Sequence, residues 1–177
     1  YRARAAEAWE AGMDGIYVFN VFNPLNPLWN ELGDAEKLRG LSKSYFVNYR
    51  TVNHARSYLA GGEQYIGIPL LDSISPMVLD PGTSAATTLN CGDDGSTLPP
   101  TARVILRLEV AEAATGPAVS VNGHSLGAGT VSDGWVEYAV PSSALVRGGN
   151  TIAVSLGADA AGTVTISDLQ LCVECEQ

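Results

Sequence analysis

The chain has 177 residues, 46% of them hydrophobic and 16% charged, with a formal net charge of −9. That composition is globular rather than disordered, and no apolar run approaches the roughly 20 residues a membrane-spanning helix needs. The acidic balance, with no local cluster of Lys and Arg to offset it, excludes nucleic acid and anionic lipid surfaces as expected partners.

The chain opens "YRARAAEAWEAG", in which Ala5, Ala8 and Trp9 recur at helical spacing and Gly12 stands where a C-terminal cap belongs, predicting a short helix over 2–11. This opening holds no initiator Met and no basic-then-apolar leader, and it reads as the middle of a longer protein. "GIYVFNVF" (15–22) is a continuous apolar run without polar alternation, the pattern of a parallel strand buried on both faces. "NPLNPLWNELG" (23–33) carries two prolines and is longer than an ordinary βα connection, so it is expected as an irregular loop of the kind that carries or covers function. Asp34 is placed to cap the next helix, Glu36 to sit in its first turn, and Leu38, Leu41, Tyr45 and Tyr49 to form its buried stripe.

From about residue 63 the period changes from helical to two. Eight segments alternate between turn residues: "YIGIPLL", "PMVLDPG", "SAATTLNC", "RVILRLEV", "AVSVNG", "WVEYAVP", "TIAVSL" and "TVTISDLQLCVE". Val104, Leu106, Leu108 and Val110 share one face, as do Ile152, Val154 and Leu156. In the last segment Val164 and Ile166 point inward in one phase and Leu169, Leu171 and Val173 in the other, which a bulge near Ser167-Asp168 would reconcile. The expected architecture is an antiparallel, jelly-roll-like β-sandwich preceded by a piece of helix, strand, loop and helix, so that the chain is α+β by content.

Gly123-His124-Ser125-Leu126-Gly127 matches the nucleophile elbow of serine hydrolases, but glycines and strand residues follow it instead of a helix. The two histidines are His54 and His124, so none lies downstream of Ser125, and Asn122-Gly123 is instead a two-residue hairpin signal. Cys172 and Cys175 sit in an alternating stretch, where residues three apart are about 10 Å apart on opposite faces and cannot share a disulfide or a metal. Cys91 could pair with one of them in an exported protein, and composition leaves that open. Trp135 and Tyr138 fall on opposite faces by parity, so one belongs to the core and only the other could join a sugar-stacking platform. Asp93-Asp94 is expected as a solvated turn, with a calcium site as the alternative, and Asn150 as part of a turn. No cofactor or metal is expected.

The first third of the chain cannot be a domain, since one strand without a partner sheet would leave backbone and apolar side chains open; it must dock on something else. "AWEAGMDGIYVFNVFNP" with "LWNELGD" resembles the last strand and helix of the (β/α)8 barrel in glycoside hydrolase-like proteins of environmental bacteria. "YLAGGEQYIGIPLL" and the strands after it resemble the β-sandwich appended to such barrels, and "GWVEYAVPSSALVRGGNTIAV" is similar to galactose-binding-like sandwiches. The resemblance implies a C-terminal fragment in which residues 1–62 carry the terminal βα piece of a TIM-type barrel and 63–177 form an accessory sandwich, in a secreted or otherwise extracytoplasmic protein.

In a barrel of this type chemistry sits at the C-terminal strand ends, so Asn20 to Asn23 and the following loop would border the cleft. The resemblance then implies Trp29 stacking on a sugar ring, Asn20 or Asn23 bonding its hydroxyls, and Glu31 as the one carboxylate within the loop. The alternatives are a core plug for Trp29 and a solvated charge for Glu31. None of the four is expected to be catalytic, because glycosidases use two carboxylates roughly 5 to 10 Å apart, drawn from different strands. The expected partners are the parent enzyme's carbohydrate substrate and the remaining barrel, and the chain alone is expected to be inactive. A non-catalytic carbohydrate-binding or structural sandwich is the alternative.

Overall fold

A computed structural model describes residues 1–47, 71, 76–111 and 116–176. Helix α1 (Arg2–Glu10) comes first, followed by the short helices α2 (Leu28–Glu31) and α3 (Ala35–Arg39). Ten strands follow among the described residues: β1 (Lys43–Phe46), β2 (Met77–Leu79), β3 (Ser84–Cys91), β4 (Arg103–Val110), β5 (Ala118–Val121), β6 (His124–Ser125), β7 (Thr130–Ser132), β8 (Trp135–Val140), β9 (Gly148–Ser155) and β10 (Val164–Glu174).

The strands form two antiparallel sheets. One has the order β1-β10-β4-β8-β7, with β2 also paired to β10; the other has the order β3-β9-β5-β6. Alternation decides what each sheet turns inward. Val104, Leu106, Leu108 and Val110 of β4 meet Val136, Tyr138 and Val140 of β8, with Ile166, Leu169, Leu171 and Val173 of β10 beside them. Against these lie Leu89 and Cys91 of β3, Ile152 and Val154 of β9, and Val119 and Val121 of β5. Burying a single Leu, Ile or Val side chain of this kind is worth about 1.5–3 kcal/mol, so this layer holds the fold together. The phase change in β10 is a bulge between Ile166 and Asp168, as its two apolar phases require.

Two hairpins show why the turns fall where they do. Asn122 (φ 50°) and Gly123 (φ 82°) join β5 to β6, and Asp133 (φ 49°) and Gly134 (φ 81°) join β7 to β8. Each pair supplies the two positive φ values of a type I′ turn, whose twist matches that of the flanking strands. Ser125 therefore lies in an exposed strand opposite Ser120, with no helix behind it. The three cysteines are free.

The first third of the chain departs from expectation in two places. Residues 15–22 form no strand, because a ladder needs a partner and the described residues offer none. Ile16 and Val18 pack beside Trp9, Leu28 and Leu41 around a small cluster of Ala5, Leu32 and Leu38, while Tyr17 is 87% and Phe22 86% exposed. The predicted helical stripe also breaks. Asp34 does cap α3, accepting from the N–H groups of Glu36 and Lys37, but the helix ends at Gly40 and residues 43–46 become an edge strand of the sandwich, paired with Gln170–Val173. Leu38 and Tyr45 are both buried, in different clusters. Tyr49 lies outside the described residues, as does the expected strand over 65–71 apart from Leu71, which is buried.

Candidate functional site

The N-terminal segment is fastened to the sandwich by polar groups as well as by packing. Lys43 of β1 points inward, and its Nζ lies 3.2 Å from Asp93 Oδ1 with both side chains almost wholly buried. The same ammonium donates to the Leu38 carbonyl at the end of α3, and Tyr45 Oη donates to Asp93 Oδ2 at 2.9 Å. The Lys43–Asp93 pair thus joins α3, β1 and the loop after β3. Burial beside this carboxylate raises the Tyr45 hydroxyl's pKa, and burial pushes the Cys91 thiol up to about 12. Asp93 is therefore neither solvated nor a calcium ligand but half of a buried ion pair. Its neighbour Asp94 caps a 3-10 turn over Gly95–Thr97. No group of three or more His, Cys, Asp or Glu suited to a metal occurs among the described residues.

Close backbone contact completes the attachment. A Cβ on Gly92 would lie 2.5 Å from the Ala6 carbonyl carbon, so only glycine lets α1 rest on this loop. Arg147 reaches Glu10 at the far end of α1 at 3.0 Å. Asn150 is not a turn residue but a fully buried hub in β9. It accepts from Asn122 and from the Val146 N–H, and donates to the carbonyls of Val146 and Gly148.

The four expected sugar-binding residues separate into two groups. Asn23 and Trp29 come together: Asn23 Oδ1 accepts from Leu25 N–H at 2.9 Å, and Trp29 Nε1 donates to the Asn23 carbonyl at 2.8 Å. Trp29 is thereby held in α2, a short helix inside the stretch expected as an irregular loop, at 44% exposure and not as a core plug. Asn20 is exposed at a turn with φ 59°. Glu31 turns the other way and is buried, taking a two-pronged bond from Arg2, with Nε to Oε2 at 2.7 Å and Nη2 to Oε1 at 2.9 Å. The Arg2 guanidinium holds its carboxyl below the usual carboxylate range. Glu31 is therefore neither a solvated charge nor suited to donate a proton at neutral pH.

The outer face of the larger sheet holds what the sequence reading passed over. Phe46, Gln170, Arg107, Glu137 and Thr130 lie side by side across five strands. Tyr138 is core, as parity required of one of the two aromatics, and Trp135 is outward beneath the Arg107 guanidinium, 4.6 Å from its ring centre. Arg107 Nε lies 2.9 Å from Glu137 Oε1 but out of line for a hydrogen bond. Between this face and α2 runs an open groove of about 860 Å³, bordered by Arg2, Glu31, Ser44, Phe46, Arg107 and Glu174 among others. The signal for it was present in "KSYF" after Gly40 and in the outward phase of "RVILRLEV", Ile105 and Arg107.

No family model and no curated protein matches the chain. Among solved structures it is similar to BpGH86A, a beta-porphyranase of glycoside hydrolase family 86 from the human gut bacterium Bacteroides plebeius. That match has 19% identity and a TM-score of 0.45, over 56% of this chain and 19% of the other. It is also similar to BuGH86 in complex with neoagarooctaose, at 14% identity and a TM-score of 0.46, over 75% of this chain and 18% of that one. The chain spans less than a fifth of the length of each neighbour.

Proposed function

We propose that the chain is the non-catalytic accessory part of a carbohydrate-active protein, in which the sandwich carries the segment before β1 as a docking face for a preceding (β/α)8 barrel. The observation that supports this most is the two-sidedness of that segment. One side is anchored by Gly92, Asp93 and Arg147. The other turns Tyr17, Phe19, Phe22 and Leu25 outward at 71–87% exposure. An exposed apolar row on a firmly held frame is the signature of an interface, and a run patterned for two-sided burial gains its ladder bonds only from a neighbouring sheet. On this reading Asn20, Asn23 and Trp29 lie at the rim of the barrel's cleft, and Glu31 locks the loop without entering the chemistry.

Two measurements test the reading. The coding sequence before Tyr1 is expected to specify further βα units with carboxylates at the ends of two strands, and a secretion signal directly before Tyr1 would overturn it. The purified chain is expected not to turn over aryl-glycosides or polysaccharides; hydrolysis that survives removal of contaminants would show a complete catalytic site within it.

A further inference from the structure

We propose that the groove between α2 and the outer face of β1, β10 and β4 is a binding site for a neutral oligosaccharide. The inference deepens the proposed function and rests on it for its setting. Its chemistry comes from the lining. At about 860 Å³ the groove is within the range of small-ligand sites, about 300–1,000 Å³, and it is open to solvent.

Phe46 stands at its edge, 47% exposed on a paired strand, where its ring gives a sugar's C–H face an apolar surface that costs little to order. Flat polar groups flank it. Arg107 is held in place by Trp135 beneath it and by Glu137 beside it, so its outer N–H groups are presented without first having to be fixed. Ser44 supplies a hydroxyl and Glu174 a carboxylate along the same wall.

Charge selects the ligand class. Each charged group on the lining has an opposite partner: Arg2 with Glu31, Lys43 with Asp93, Arg107 with Glu137, and Glu174 with Arg103. Among the described residues the lining thus leaves no spare cation for a sulfate or uronate, and the chain's net charge of −9 repels acidic glycans. A polyhydroxylated, uncharged ligand meets both conditions.

The test titrates the whole chain with cello-, xylo- and galacto-hexaose, and with oligogalacturonate as the acidic probe, following backbone amide shifts. Shifts confined to Ser44–Phe46, the 170–174 stretch of β10 and Arg107 are expected with at least one neutral hexaose and not with the acidic one. Phe46→Ala should keep the same unfolding midpoint, because the ring is half exposed, and should weaken binding up to about tenfold, the size of one aromatic stacking contact. Unchanged affinity in Phe46→Ala, shifts elsewhere, or preference for oligogalacturonate would overturn the assignment. Silence from every probe at millimolar concentration would overturn it too, while the accessory reading would still stand or fall on the upstream sequence.

Discussion

The sandwich and the segment before it obey different rules, although both are rich in apolar residues. In the sandwich, Leu106, Leu108, Ile152, Ile166, Leu169 and Leu171 are wholly buried, each on a strand whose neighbours bury the same face. Before β1 the buried cluster is three residues, Ala5, Leu32 and Leu38, with Trp9 half-buried against it, while Tyr17, Phe19 and Phe22 face solvent. The contrast teaches that an apolar run specifies a strand only where another backbone can complete its hydrogen bonds. The segment's order comes from what it borrows, namely the buried Lys43–Asp93 pair, the bare backbone of Gly92 and the guanidinium of Arg147.

The sharpest way to break the comparison is to cut the link between the regions. Lys43→Met leaves Asp93 charged and buried without its cation, and should cost about 3–5 kcal/mol in urea unfolding. The double variant Lys43→Met/Asp93→Leu should recover most of that loss, and failure to recover would mean that the pair does more than compensate its own charges. Leu106→Ala, at the centre of β4, should cost about 2–5 kcal/mol and lower the midpoint of the whole sandwich.

Gly92→Ala acts on one region alone. The added methyl meets the Ala6 backbone, so α1 must lift, at a cost of about 1–3 kcal/mol. Protection of the α1 amides in hydrogen exchange should fall while that of β4 and β9 holds. Equal loss in both would show that the two regions unfold as one.

Acid and alkali should separate the regions further. Glu31 has its folded pKa held below its ordinary value by Arg2, so its contribution is present at neutral pH and is lost as pH falls through that depressed value. Near-ultraviolet signals from Trp9 and Trp29 should therefore change on acidification before the sandwich unfolds. Cys91 and Tyr45 have raised pKa values, so their contribution is complete below the ordinary values of the unfolded chain. It is lost as pH climbs from about 9 toward about 12 at Cys91, where alkaline unfolding of the sandwich should appear. The smallest expected effect is that of Tyr17→Ser and Phe22→Ser, within about 0.5 kcal/mol in stability. Their consequence should instead appear in sedimentation, where the exposed row Tyr17, Phe19, Phe22 and Leu25 is expected to make the parent chain self-associate and the two variants less so.

Much of this was legible in the residues. Period-two alternation located the sandwich strands from Met77 to Glu174, the double phase of the last strand foretold its bulge, and Asn122-Gly123 foretold its turn. Asp133-Gly134 carried the same turn signal, so β7 could have been found. The errors arose where local pattern and tertiary pairing disagreed. Leu38, Leu41, Tyr45 and Tyr49 fit a helical stripe, yet the edge of β10 was open and Gly40 ends the helix, so 43–46 went to the sheet. The partners of Glu31 and Asp93 lie 29 and 50 residues away, and no local rule reveals a buried ion pair at such distances. The outer-face groove depends on which strands are neighbours, and alternation alone does not order strands.

Hydrogen exchange on the intact chain tests the central claim most directly: that the sandwich is the stable body and the segment before it a carried docking face. Amides of 104–110 and 152–154 should show the strongest protection and those of 16–22 the weakest. If the amides of 16–22 were instead the best protected in a monomer, that run would belong to the chain's own core, and the docking account would be contradicted.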